Sequence, residues 1–257
     1  MRILTRPRLI AGATLVLTLV GASHYLGSAR ADDPAPQASN LVSGEGTQPQ
    51  TIEELLTAVT TDVDAYWTKV FEASGRSEPR VGYAWIPAGQ TVASACGDEA
   101  HPLGDTAAAY CNGDDTIYIS QKFATDIYDG ALDHALPGSS QGYGRTYGDF
   151  AVAYIVAHEY GHQVQDELGL FDAYGDQLPT MAFELQADCF AGSWAHSAYE
   201  ENRLEDGDVQ EALDAALAVG DFDAGNPGHH GTPEQREAAW KQGFDSGDPS
   251  ACTLQSS

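Results

Sequence analysis

Positive charge is what this chain has least of: 12 Lys and Arg stand against 38 Asp and Glu, for a formal net charge of -26. The shortage is sharper past residue 31, because Arg2, Arg6, Arg8 and Arg30 all lie before it. So acidic a surface repels phosphate backbones and anionic membranes, which excludes nucleic-acid binding; its ordinary role is solubility. There is no internal repeat, no Cys-x-x-Cys pair of the kind a structural zinc site uses, and no cysteine before Cys96 to carry a lipid. Nor is there an apolar run of comfortable bilayer-spanning length, since residues 9–22 extend only weakly to Leu26.

What precedes residue 32 has the form of an export signal. Three arginines make a positive n-region, residues 9–22 a short apolar h-region, and Ala29-Arg30-Ala31 a small-x-small cleavage site. A signal peptide over 1–31 is expected, the alternative being an uncleaved N-terminal anchor. Residues 32–50 are rich in Pro, Gly, Ser and Gln without apolar periodicity, and read as a flexible linker. Residues 51–257 are long enough for one domain with a substantial core. Four cysteines in an exported chain imply two disulfides, with three pairings open.

Thr51-Ile52-Glu53-Glu54 has capping-box form and opens a helix whose apolar residues recur at helical spacing to Phe71, before Ser74-Gly75. Short β-like runs follow at 81–86, 91–95 and 116–120, then a helix over 121–132 and a Gly-rich loop over 136–148. Asp149 is expected to cap an amphipathic helix to about Leu168. Further helices are predicted from Met181 to about Tyr199, from an Asp208 capping box to a stop at Gly220, and from Thr232-Pro233 onward. The fold class is α+β, mainly helical with a small sheet.

The chemistry concentrates in His158-Glu159-Tyr160-Gly161-His162. Residues i and i+4 share one helix face, so the two imidazoles can converge on one zinc ion. Glu159 can then act as general base on a zinc-bound water. Gly161, a poor helix former, points to a close backbone approach. A catalytic zinc needs a third protein ligand. Gln165 and Leu168 occupy the positions where a metzincin needs Gly and His, so that class is excluded. Glu184 and Asp188, one turn apart on an apolar helix, are the better candidates: one to bind metal, the other to orient a ligand histidine. Asp166, Glu167 and Asp172 are weaker competitors. His230, just before a helix start, is a candidate for stabilising an oxyanion. His24, His101, His134, His196 and His229 read as structural.

The helix around 153–165, the run Glu184-Leu185-Gln186-Ala187-Asp188-Cys189-Phe190-Ala191-Gly192, the stretch from His230 to Arg236, and the Ala95-Cys96-Gly97, Tyr110-Cys111 and Cys252 contexts resemble the bacterial neutral zinc metallopeptidase family. Tyr160 and Gln163 depart from the family pattern, though neither is an expected ligand. The resemblance implies a zincin-like fold, Glu184 as third zinc ligand and Asp188 as hydrogen-bond partner of a ligand histidine. It also implies that 116–120 is the edge strand above the site, to which an extended peptide adds. It adds weight to the disulfides Cys96–Cys111 and Cys189–Cys252.

The sequence thus reads as a secreted or cell-surface zinc metallopeptidase acting on peptide or protein substrates. The alternatives are a zinc amidase with a non-peptide substrate and a catalytically weak, zinc-stabilised binding protein. Retention of Glu159 argues against the last, since zinc binding alone needs no base beside the first histidine. N-terminal sequencing of protein from culture supernatant should find Asp32 first; an intact leader on membrane-bound protein would favour the anchor.

Overall fold

A computed structural model describes residues 49, 51–96, 102–132, 136 and 147–254. The expected leader, nearly all of the linker and most of the Gly-rich loop lie outside these residues, as do His24, His101 and His134.

Helix α1 (Ile52–Ala73) starts as its sequence dictates, with the Thr51 hydroxyl accepting from the Glu54 amide at 3.1 Å. Its buried stripe (Leu55, Leu56, Val59, Val63, Trp67 and Phe71) packs into the main core. Gly75 follows the helix with φ +71°, a left-handed turn that a side chain would strain.

Three strands come next: β1 (Gly82–Ile86), β2 (Ala108–Cys111) and β3 (Thr116–Ser120). Their order is β1-β3-β2, with β1 parallel and β2 antiparallel to β3. This corrects the expectation for 116–120, which form the central strand and not an edge. The reason lies in β2, whose Ala-Ala-Tyr-Cys lacks the β-branched signature yet pairs fully, Ala109 opposite Tyr118. The run 91–95 forms no strand, only an isolated bridge between Val92 and Leu103. Cys96 and Cys111 form a disulfide that ties this segment to the end of β2. Helix α2 (Gln121–Tyr128) leaves β3 directly and ends at Asp129-Gly130, short of residue 132.

Helix α3 (Asp149–Glu167) is the centre of the molecule. Residues 149–165 are all buried, so the expected amphipathic helix is enclosed on every side. Neither expected acidic cap forms. Gly148 is the N-cap of α3, and the Phe150 amide is instead capped by the Glu211 carboxylate at 3.1 Å. Glu211 reaches it from α6 (Asp208–Val219), and a Cβ on Gly148 would fall 2.6 Å from its oxygens. Asp208 likewise does not cap α6, whose N-cap is Gly207; its carboxylate accepts from the Glu205 amide.

After the short α4 (Leu170–Tyr174), helix α5 (Thr180–Glu200) crosses α3, and α7 (Pro233–Ser246) packs on α5. Thr232 and Gln235 form the predicted capping box of α7. Each crossing is closed by glycine. A Cβ on Gly161 would lie 2.9 Å from the Ala187 Cα, and one on Gly243 only 1.9 Å from the Cys189 carbonyl oxygen. A second disulfide, Cys189–Cys252, fastens the segment after α7 to α5 across 63 residues.

Burial, reinforced by Asp149, pushes the Glu211 carboxyl up to about 7, and burial likewise pushes Asp208 up to about 6. Both lie above the values of exposed carboxyls, so the folded chain holds extra protons between about pH 4 and pH 7 and loses stability as pH rises through that window. Glu211→Gln keeps an acceptor for Phe150 but removes the titration. Urea denaturation should show that the variant loses less stability than the wild type between pH 5 and pH 8. An unchanged pH slope would place the cost elsewhere.

Candidate metal centre

His158 and His162 lie one turn apart on α3, and Glu184 faces them from the first turns of α5. His158 Nε2 is 3.2 Å from Glu184 Oε2, and His162 Nε2 is 3.4 Å from Glu184 Oε1. The three residues are 5 %, 4 % and 2 % exposed, respectively. Ligand atoms bound tetrahedrally to one zinc at ~2.0–2.1 Å stand about 3.3 Å apart, so this donor set fits that ion without rearrangement. Its electrostatics also favour a cation. Burial and Arg236 draw the His158 pKa down, but Asp188 and Glu184 outweigh them and push it up to about 9. Burial would raise the Glu184 carboxyl, yet His162 and His158 hold it well below the usual carboxylate range.

Asp188 anchors the arrangement from beneath. Its Oδ1 accepts from His158 Nδ1 at 2.8 Å, from the Tyr154 hydroxyl at 2.6 Å and from Arg236 Nη2 at 2.9 Å. Its Oδ2 accepts from Arg236 Nε at 2.8 Å. Burial alone would raise the Asp188 carboxyl, but the Arg236 guanidinium and His158 hold it below its ordinary value. An ionised Asp188 only accepts, so His158 Nδ1 carries the hydrogen and Nε2 turns its lone pair toward Glu184.

Glu159 is aimed elsewhere. The Tyr110 amide of β2 donates to Glu159 Oε2 at 2.8 Å. Since Ala107 O accepts from the Ser120 amide, the alternate residue Tyr110 points its N–H away from β3 and toward α3. His230 lines the same small cavity as His158, Glu159, His162, Glu184 and Arg236. It is held by Asp221, which accepts from the His230 amide at 2.9 Å, lies 3.3 Å from His230 Nδ1, and also meets His229.

The weaker acidic competitors lie outside this group. Asp166 accepts from the Tyr110 hydroxyl, Glu167 from the Arg80 amide, and Asp172 is exposed on α4. A second set of carboxylates among the described residues, Asp149, Asp208 and Glu211, is the capping cluster of α3 and contains no histidine. His196 contacts the Phe244 carbonyl. Sequence reasoning gave no role to Arg236, Tyr110 or Asp221. Arg236 carried one usable signal: it is among the few basic residues after the leader, inside a firmly capped helix.

A family model described as "Putative neutral zinc metallopeptidase" matches residues 9–254. The chain belongs to that family. It is 34 % identical over 238 residues to "Uncharacterized protein YpfJ" of Escherichia coli (strain K12), an alignment that covers 84 % of this chain and 75 % of that protein. It is also 34 % identical over 214 residues to "Uncharacterized protein Rv2575" of Mycobacterium tuberculosis (strain ATCC 25618 / H37Rv), covering 74 % of this chain and 66 % of that one. "Uncharacterized protein Mb2605" of Mycobacterium bovis matches over the same shares. No solved structure matches the chain.

Membership of this family makes the Asp188–Arg236 pair a test of how the centre is held. Removing one partner leaves the other charge buried and unpaired, which costs about 3–5 kcal/mol. Arg236→Met should therefore destabilise the metal-free protein by that order in urea denaturation. Asp188→Asn added to it should recover part of the loss. A cost under about 1 kcal/mol would mean that the Asp188 charge is met by other groups.

Proposed function

We propose that this chain is a zinc-dependent peptidase of zincin-like fold, with His158, His162 and Glu184 as the metal ligands. The observation that carries the reading is a division of labour among neighbours. Two imidazole nitrogens and one carboxylate converge at 3.2 and 3.4 Å, while the adjacent Glu159 is held apart by a backbone amide. A bound zinc supplies Lewis acidity, which acidifies a water and polarises a carbonyl. Glu159 removes the proton of the attacking water and delivers it to the departing amine. The Tyr110 amide fixes one of its oxygens and leaves the other for this transfer. His230, oriented by Asp221 at the rim of the same cavity, donates a hydrogen bond to the oxyanion that forms. Asp188, kept ionised by Arg236, holds the His158 ring in the tautomer that presents Nε2.

Peptide or protein chains are the proposed substrates, in line with the family description. The chain is proposed to act outside the cytoplasm after loss of residues 1–31, with 32–50 as a linker to the domain at 51–257. Two disulfides support that placement. Among the described residues no helix is long and apolar enough to cross a membrane.

Glu159→Gln preserves shape and an acceptor for the Tyr110 amide but loses basicity. It should retain near-stoichiometric zinc by metal analysis while turnover of a labelled peptide falls by ~10²–10⁴-fold. Glu184→Ala should instead lose its zinc, because two histidines alone make a weak site. Full activity in Glu159→Gln would overturn the assigned base. Full zinc occupancy in Glu184→Ala would move the third ligand, with Asp188 next to test.

A further inference from the structure

The two histidines are held by unlike means. His158 leans on a charged carboxylate, whereas His162 Nδ1 meets a neutral amide, Gln165 Oε1, at 2.9 Å. Gln165 is fully buried and its amide nitrogen is committed twice: to the Phe183 carbonyl at 2.7 Å and to Gln186 Oε1 at 3.1 Å. Gln186 in turn donates to the Cys252 carbonyl at 2.9 Å. The relay runs in one direction only. Backbone carbonyls accept and never donate, so Phe183 and Cys252 fix which end of each amide is nitrogen. Turning Gln165 over would set its oxygen against two other oxygens in a buried site. With the amide so fixed, Gln165 presents an oxygen to the ring, and His162 Nδ1 must be the donor. Its Nε2 is then left with a lone pair facing Glu184.

We propose that Gln165 and Gln186 are positioning residues that lock His162 in its Nδ1–H tautomer through a relay ending on the disulfide-held Cys252 carbonyl, and thereby set the zinc affinity. The inference rests on reading His162 as a zinc ligand. It also gives a reason for amides here. A carboxylate at 165 would face the Phe183 and Gln186 oxygens with no cation beside it, whereas Asp188 has Arg236. Gln186 touches neither histidine nor Glu184 through any hydrogen bond of its own, so an effect of changing it must travel along the relay.

The test uses the purified full chain with Gln165→Leu and, separately, Gln186→Met, which keeps side-chain length. Zinc affinity is read by competition with a chromophoric chelator. It should weaken by ~10–100-fold in Gln165→Leu, the range for loss of a ligand histidine's partner, and measurably but less in Gln186→Met. Imidazole ¹⁵N spectra of the metal-free proteins at alkaline pH, where the rings are neutral, should show His162 as the Nδ1–H form in wild type. The Nε2–H form should gain in both variants while His158 stays unchanged. Affinity within twofold of wild type in both variants, or an unmoved His162 tautomer, overturns the relay. If Gln165→Leu fails to fold, Gln186→Met decides alone. Wild-type protein that takes up no zinc would sink the ligand assignment itself, and the tautomer spectra would still judge the relay.

Discussion

Burying ionisable groups is expensive unless their charges are met, and this fold concentrates them on one helix junction. The Asp188–Arg236 pair is what makes the junction tenable. Through Asp188 it joins three helices: Tyr154 and His158 from α3, Asp188 from α5 and Arg236 from α7. Neutralising Asp188 would leave His158 without a fixed tautomer and Arg236 without a counter-charge. The glycine contacts serve the same end, because α5 approaches α3 at Gly161 and α7 approaches α5 at Gly243 only where no Cβ intervenes. Side chains of ordinary length then reach across.

The sheet contributes less volume but one directed bond. Since β2 is an edge, every second amide along it has no strand partner, and Tyr110 spends its amide on Glu159. The Tyr110 hydroxyl is anchored in turn by Asp115 and Asp166, on the β2–β3 turn and on α3. A short strand of small residues thus positions the putative base, whereas helices position the three residues proposed as ligands.

What was legible in the sequence follows from distance along the chain. His158, Glu159 and His162 share a face because of helical period alone, and Glu184 and Asp188 are set the same way on their own helix. Gly161 was legible as a close approach, and Ala187 is what approaches. Arg236 was not legible, for it meets His158 across 78 residues and sits on a helix whose composition reads as solvated. The acidic caps were misread for a related reason. Asp149 and Asp208 each fit a local capping rule, but tertiary packing brings Glu211 to the end of α3 and buries all three carboxylates together. The edge strand was missed because alanines pair through backbone atoms that composition does not report.

The order of these parts along the chain carries a consequence for synthesis. A ribosome delivers the histidines and Glu159 first, then Glu184 and Asp188, and only some fifty residues later Arg236, followed by Cys252. Until the last helix emerges, a nascent chain holds every residue proposed to touch zinc but neither the counter-charge for Asp188 nor the far anchor of Gln186. Products of premature termination before residue 236 would carry the whole recognisable motif and lack the means to hold it in place.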